Sequence, residues 1–227
     1  MLSTSEFEAA IDARIETKSL LKHPFYQAWN AGSLPMTALR EYAAQYYHFE
    51  TAFPTFLSAL HSRCSSLDIR QQILANLWDE EHGEGNHTAL WLRFCAALGL
   101  DTAQVITGKP AAATQRLIET YRALCGSGHY TRGLAALLAY EAQVPAVAVQ
   151  KVAGLNRFYS ITDPQALSFF TTHVEVDNGH AAVERSLVLR EATTESDQQT
   201  VLAAVDQALD GFWDFLDGAY AHRSLSA

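Results

Sequence analysis

Apolar side chains recur along this chain at the three- and four-residue spacing of amphipathic α-helices. No stretch alternates between apolar and polar residues for long enough to predict a β-strand. The segments with helical spacing cover residues 5–19, 23–29, 37–63, 66–99, 112–124, 130–153, 164–190 and a last segment from residue 194. The pattern therefore predicts an all-α protein, a helical bundle of about seven to eight helices.

The composition narrows the class of protein. The chain has 227 residues, 48% of them hydrophobic, and no linker-like segment, which favours a single domain over residues 1–227. A net charge of −9 argues against binding to nucleic acid. The sequence has neither a signal-like N-terminus nor an apolar run of about 18 residues, so we expect a soluble, cytoplasmic protein that does not enter membranes.

The first candidate for chemistry is the acidic segment at residues 77–87. It carries Glu80, Glu84 and His87 at successive spacings of four and three residues. If residues 66–99 form one helix, these side chains share one face, because each residue turns about 100° around the axis. The flanking residues are apolar, so this face is predicted to be buried. Buried acids are costly unless they are paired or bind a metal.

A second segment, residues 172–180, repeats this spacing with His173, Asp177 and His180. Carboxylates mixed with imidazoles suit iron, manganese or zinc, and helices that each offer such a set build dimetal sites inside helical bundles. A solvated helix face or an N-cap cluster would explain one such set alone. Two matching sets in an all-helical chain favour a metal site.

Glu141 is a lone acid in the apolar helix predicted over residues 130–153. A neighbouring arginine or a backbone donor could satisfy it, but with two half-sites present we interpret it as a bridging carboxylate from a third helix. Lys151 lies ten residues further on, about 80° around the same predicted helix, and is expected to face the same cavity.

Three segments carry a resemblance to a known family: HPFYQAW from residue 23, DEEHGEGNH from residue 79 and HVEVDNGHA from residue 173. With them the chain resembles, over nearly its whole length, the haem-oxygenase-like dimetal oxidases. The likeness is closest to the branch of the chlamydial death-domain-associating protein (CADD), whose members make para-aminobenzoate for folate synthesis. PqqC, the oxidase of pyrroloquinoline-quinone synthesis, and TenA are more distant. The resemblance implies a haem-oxygenase-like (TenA/PqqC-like) helical bundle.

The resemblance also implies a metal centre. Two metal ions, iron in both positions or iron with manganese, would be bound by the residues that match the family's ligands: Glu80, His87, Glu141, His173, Asp177 and His180. Glu84 stays open as a ligand or as a supporting partner of Glu80. Dioxygen is implied as co-substrate, an external reductant is a further candidate partner, and a homodimer is expected by family likeness.

Members of this branch supply their own substrate, and Tyr26 and Lys151 match the two residues that are consumed. The resemblance implies that the tyrosine ring becomes the aromatic part of the product and that the lysine provides the amino group. Without the resemblance, Tyr26 would be interpreted as an ordinary core aromatic and Lys151 as a surface lysine at a helix end.

Three other functions stay open. The same site, with or without metal, could act on a free small molecule, as in the PqqC-like oxidases. A helical interaction module is the second, although no exposed apolar helix face is evident. The third is a TenA-type hydrolase, which would need a nucleophilic cysteine. Cys64, Cys95 and Cys125 lack the basic neighbours that activate a thiol, and we interpret them as reduced core residues.

Overall fold

The computed structural model describes residues 1–221, without the side chains of residues 175–178. The α-helices are Thr4–Thr17 (α1), Pro24–Asn30 (α2), Met36–Arg63 (α3), Leu67–Glu81 (α4), His87–Ala97 (α5), Thr102–Thr107 (α6), Ala112–Gly126 (α7), Thr131–Glu141 (α8), Val144–Phe158 (α9), Pro164–Glu191 (α10) and Glu195–Ala221 (α11), with a 3₁₀ turn at Leu20–Lys22. Residues 1–221 contain no β-strand, which confirms the all-α prediction. The helices are more numerous than the seven to eight predicted.

The predicted helix over residues 66–99 is wrong in its middle. It divides into α4 and α5, which are separated by a loop in which Gly83 has a φ of +71°. Asn86 then caps α5, since its side-chain oxygen accepts a hydrogen bond from the backbone N–H of Ala89 at 2.9 Å. A glycine in the left-handed region followed by an N-cap outweighs the apolar periodicity on either side.

The predicted helix over residues 130–153 is also divided. α8 ends at Glu141, and α9 begins at Val144 with Pro145 in its first turn. Proline fits the first turn of a helix but not its interior, because it has no N–H to donate. Glu141 and Lys151 therefore lie on different helices, and the predicted angle between them around one axis does not apply.

Helix starts follow the cap signals of the sequence, with one shift. The first helix begins slightly before the predicted segment 5–19, with a capping box in which Ser3 and Glu6 exchange side-chain and backbone hydrogen bonds. The predicted start of the segment 164–190 is confirmed, since the carboxylate of Asp163 caps it by accepting from the backbone N–H of Gln165. The short helix α6 and the 3₁₀ turn were not predicted, because six and three residues are too few to show a period.

The core of the bundle is aromatic. α3 runs through its middle and packs against α4, α5, α7 and α11, while α8 packs against α10 and α11. Phe49 lies at the centre of this packing with its ring edge-on to Tyr121 and Phe212, and Phe212 stacks on Tyr140 at 4.6 Å between ring centroids. Each fully buried ring contributes about 1.5–3 kcal/mol to the stability of the fold through the apolar area it removes from water.

None of the described helices has the length and apolar character that a membrane crossing requires.

Gly154 permits the close approach of α9 to α2. A Cβ atom at this position would lie 2.6 Å from Cδ1 of Trp29, whose indole N–H donates to the carbonyl of Lys151 at 3.3 Å. We expect Gly154→Ala to lower the free energy of unfolding by about 1–3 kcal/mol, because Trp29 must move within a packed core. Urea denaturation measures the effect. Gly126→Ala is the matched control: nothing lies within 4 Å of its Cβ position, and a change within about 0.5 kcal/mol is expected.

Candidate active site

Glu80 and His87 meet through the loop between α4 and α5. The Oε2 atom of Glu80 lies 2.8 Å from Nδ1 of His87, and both side chains are buried. They are brought together because the chain turns at residues 82–86, and not because they share a helix face. Glu84 lies in this loop and is exposed, with only its backbone carbonyl used, as an acceptor for Arg93. The described positions therefore place Glu84 away from the buried cluster.

α10 carries the two histidines of the second predicted set. His173 is buried, and its Nδ1 bonds to the carbonyl of Phe169 at 2.6 Å, which leaves Nε2 as the nitrogen that can bind a metal. His180 directs Nε2 to the carboxylate of Asp79 at 3.2 Å and lies with Nδ1 3.7 Å from Oε2 of Glu141. The side chain of Asp177 lies outside the described residues, so its role as a ligand stays a prediction.

Glu141 enters the cluster from the end of α8. Its side chain is buried, and the amide group of Asn76 donates to both carboxylate oxygens, at 3.0 and 3.3 Å. Amide donation of this kind orients a carboxylate without neutralising it. The cluster thus draws on α4, α5, α8 and α10, and the sequence did not indicate Asn76 or Asp79 as supporting residues.

The structure adds an acid that the sequence analysis missed. Glu50 of α3 is buried, and one ligand atom each from Glu50, His87 and His173 lie within 4.8 Å of one another. Its signal was present, since Glu50 lies between Phe49 and the largely apolar stretch from residue 52 to 57, in the most aromatic of the predicted helices. A helix so rich in apolar residues is expected to be largely buried, so an acid among them is a candidate for a buried site.

Burial dominates the electrostatics of the cluster. It raises the pKa of Glu50 and of Glu80 to about 8, with the Glu80 carboxylate adding to the effect on Glu50, and it raises the pKa of Glu141 in the same direction. Burial also lowers the pKa of His87 and lowers that of His173 furthest below its usual value. Cations bound among these groups would replace the protons of the acids and compensate their ionised form.

The donor set fits a metal centre. Glu50 Oε1 is buried without a hydrogen-bond partner among the described residues, and the buried atoms Glu80 Oε2 and His87 Nδ1 have only their contact with each other at 2.8 Å. Buried polar atoms are nearly always satisfied, and a bound cation would satisfy these. Mixed carboxylate and imidazole ligands suit iron and manganese. The residues therefore fit the metal ions that the resemblance implies.

A buried group of tyrosines and a lysine lies beside this cluster. The Lys151 amine donates to the hydroxyl of Tyr42 at 2.7 Å, and the Tyr42 hydroxyl lies 3.2 Å from that of Tyr26. The Lys151 nitrogen is 5.5 Å from the centroid of the Tyr26 ring. Burial lowers the pKa of Lys151 to about 7, so a large share of its amine is neutral near neutral pH.

A small cavity of about 20 Å³ joins the two groups. Its lining includes Tyr26, Lys151 and His173, and also Tyr46, which hydrogen-bonds to Tyr140. This volume holds about one molecule of the size of water. The tyrosine and lysine side chains therefore share one cavity with His173, the member of the acid–histidine cluster that lines it.

The three cysteines do not contribute a nucleophile. All three are free and buried. Burial raises the thiol pKa of Cys64 to about 11 and those of Cys95 and Cys125 to about 12. A thiol needs a lowered pKa to act as a nucleophile, so the geometry disfavours the TenA-type hydrolase considered from the sequence.

Fold and site together define an all-helical protein with an acid–histidine cluster buried inside its bundle. A family model described as an iron-containing redox enzyme, of the haem-oxygenase-like group, matches residues 40–213. The chain belongs to this family. It is 41% identical over 228 residues to a 4-aminobenzoate synthase of Nitrosomonas europaea, covering 96% of this chain and 93% of the relative.

Further relatives agree with this placement. A 4-aminobenzoate synthase of Chlamydia muridarum is 38% identical, over 91% of this chain and 87% of its own. A pyrroloquinoline-quinone synthase of Rhizobium rhizogenes is more distant, at 28% identity over 97% of this chain and 90% of its own. These relatives confirm the resemblance that the three sequence segments indicated.

Solved structures with low sequence identity share the fold. A protein of Shewanella denitrificans described as having a heme oxygenase-like fold gives a TM-score of 0.82 at 19% identity, covering 99% of this chain and 95% of the other. A TenA homologue of Pseudomonas syringae gives 0.80 at 14% identity, over 95% and 91%. They confirm the haem-oxygenase-like fold, and at this identity they show the fold alone.

The positions of Glu80 and Glu84 generate a prediction about metal binding. We expect Glu80→Gln to reduce the iron or manganese bound per chain, because it removes a buried anionic donor beside His87. Glu84→Gln is the matched control and should bind as much metal as the wild type, since its side chain is exposed. Elemental analysis of purified, folded protein measures both. Equal loss in the two variants would contradict the assignment.

Proposed function

We propose that this protein makes para-aminobenzoate, using its own Tyr26 as the source of the ring and Lys151 as the amino donor. Relatives at 37–41% identity are 4-aminobenzoate synthases, which supports the product. The observation that carries the internal substrate is the placement of Tyr26 and Lys151 in the wall of one enclosed cavity that also reaches His173. Both reacting side chains would then be in position before dioxygen arrives.

We further propose that the acid–histidine cluster holds two metal ions, iron in both positions or iron with manganese. Glu80, His87, Glu141, His173, Asp177 and His180 are the proposed ligands. The buried pair of Glu80 and His87 supports this, as does the bond from His173 Nδ1 to a carbonyl. The bound metals would supply the oxidising chemistry with dioxygen, with electrons from an external reductant.

The proposed product explains why a tyrosine is a suitable source. Its ring already carries a carbon and an oxygen substituent in para positions. Breaking the Cα–Cβ bond and oxidising Cβ with dioxygen would give the carboxylate. At the ring, a new C–N bond to the Lys151 nitrogen would replace the phenol C–O bond, with the oxygen leaving as water. Oxidation of the lysine Cε–N bond to an imine, again by dioxygen, and its hydrolysis would then release the amine. The carbon that must accept nitrogen belongs to the Tyr26 ring, whose centroid lies 5.5 Å from the Lys151 nitrogen.

Lys151 and Tyr42 act together in this proposal. The Tyr42 hydroxyl accepts from the Lys151 amine and lies against the Tyr26 hydroxyl, so it holds both groups and links them for proton transfer. The lowered pKa of Lys151 favours the neutral amine, which is the form that can attack carbon. Burial among aromatic rings therefore prepares the lysine as a nucleophile.

The cavity size bears on the alternative that a PqqC-like reaction acts on a free molecule. Sites for small organic ligands typically have volumes of roughly 300–1,000 Å³. The cavity beside Lys151 has about 20 Å³ and leaves room for a water-sized molecule only. The described conformation thus favours an internal aromatic substrate over a free one.

Tyr26→Phe tests the ring source. Phenylalanine keeps the ring but lacks the phenol oxygen that nitrogen would replace, so we expect no detectable para-aminobenzoate, while metal content and melting temperature stay near those of the wild type. Mass spectrometry of the product and of the peptide around residue 26 provides the measurement. Wild-type protein should give at most one product per chain and lose side-chain mass at Tyr26.

Tyr159→Phe is the control for this experiment. Tyr159 is also a partly buried tyrosine, but its hydroxyl bonds to the carbonyl of Leu34 and it does not line the cavity. Product formation should be unchanged in this variant. If each chain converted many molecules of an added aromatic compound while Tyr26 stayed intact, the internal-substrate mechanism would be contradicted. A PqqC-like reaction on a free substrate would then be favoured.

Lys151 generates a pH dependence. Its folded-state pKa of about 7 lies below the ordinary value, so the neutral amine predominates only as the pH rises above about 7. We expect the single-turnover rate to rise about tenfold between pH 6 and pH 8 and then to level, since the neutral fraction of an amine with a pKa of about 7 rises about tenfold over this range.

The origin of the amino nitrogen can be tested by isotope labelling. Protein labelled with ¹⁵N-lysine should give ¹⁵N product. Unlabelled product would exclude Lys151 as the donor.

A further inference from the structure

We propose that Glu50 is a metal-binding carboxylate, and that it binds the ion held by His87 and His173. The inference rests on the metal-binding part of the proposed function and is independent of the fate of Tyr26 and Lys151. Glu50 lies on α3, away from the two helical segments whose spacing indicated a metal site. It therefore adds a fifth helix to the proposed centre.

Geometry gives the first support. One carboxylate oxygen of Glu50 and one ring nitrogen each of His87 and His173 lie within 4.8 Å of one another. Ligand atoms about 2.0–2.2 Å from one ion lie roughly 3–4 Å apart, so small side-chain movements suffice to coordinate an ion. The two imidazole rings themselves are 4.3 Å apart between centroids. The three groups thus converge from α3, α5 and α10 on one point.

The surroundings of Glu50 give the second support. Its side chain is 3% exposed, and its Oε1 atom has no hydrogen-bond partner among the described residues. The neighbouring Glu80 carboxylate repels it. A buried acid that served only to hold the fold would be expected to have both oxygens bonded to donors. An acid with one unsatisfied oxygen, buried close to two imidazoles, is instead explained by a cation bound among the three groups.

Charge gives the third support. The proposed ligands Glu80, Glu141 and Asp177 contribute three formal negative charges, whereas two divalent cations carry four positive charges. With Glu50 the centre would contain four carboxylates, which is the number found in carboxylate-bridged di-iron bundles. Charge compensation matters here because the site is buried among aromatic side chains, where an unbalanced charge is costly. The four carboxylates and two divalent cations together would have no net charge before dioxygen binds.

The test compares metal binding by full-length wild type, Glu50→Gln and Glu41→Gln. Glu50→Gln preserves the side-chain shape and removes the charge. Glu41→Gln makes the same change on the same helix, at a partly buried position outside the cluster. Metal-free protein is titrated anaerobically with Fe(II), and separately with Mn(II), and bound metal is counted by equilibrium dialysis. Electron paramagnetic resonance of the Mn(II) samples reports whether two ions are coupled.

We expect wild type and Glu41→Gln to bind two ions per chain, and Glu50→Gln to bind one of them about 100-fold more weakly, a loss at the upper end of that seen for supporting residues alone. The coupled manganese signal should disappear with it. The melting temperature of metal-free Glu50→Gln should equal or exceed that of wild type, because an unsatisfied acid next to Glu80 has been removed, while its increase on adding metal should shrink.

Glu50→Asp is a second variant for the case that Glu50→Gln does not fold. It keeps the charge but shortens the side chain by one methylene, and metal binding at the same site should become weaker. Unchanged binding of two ions by folded Glu50→Gln or Glu50→Asp would overturn the role of Glu50 and leave the proposed function standing. Wild type that binds fewer than two ions would instead refute the dimetal centre itself, so the two failures are distinguishable.

Discussion

Burial of several acids and imidazoles in one place is the constraint on which the rest of this structure depends. Glu50, Glu80 and Glu141 are withdrawn from water together, and burial raises the pKa of each. Such a cluster is costly in an apolar interior unless cations compensate it. The helices that supply it must therefore be held firmly by other contacts. The aromatic packing around α3 and α11 provides them, since rings such as Phe49 and Phe212 are buried and interlocked.

α3 also organises the site along its length. Tyr42, Tyr46 and Glu50 follow one another at four-residue spacing and so lie on one face, about 6 Å apart along the axis. The first contacts Lys151, the second contacts Tyr140, and the third faces His87 and His173. One helix face thus connects the Lys151 amine to the proposed metal centre. The order of the three side chains along this face follows from the helical repeat.

Confinement completes the arrangement. The proposed substrate groups belong to the chain and are held by hydrogen bonds, so no free energy is needed to collect them at the moment of reaction. The cavity has a volume of about 20 Å³, so little solvent can lie beside the reacting groups. A protein that consumes its own side chains can react only once. The proposed reacting ring and amine are, however, already held in place before the oxidant enters.

The all-α class, most helix positions and five of the acids and histidines that the structure brings together could be predicted from the sequence, because apolar periodicity and costly buried charges are visible residue by residue. It placed Glu80 and His87 together for the wrong reason, since a loop at Gly83 joins them instead of one helix face. Tertiary structure alone decided that Glu84 is exposed, that Glu50 faces the histidines, and that Lys151 and Tyr26 share a cavity. These facts depend on how separate helices cross, and helix crossing is set by side-chain packing that no local spacing encodes.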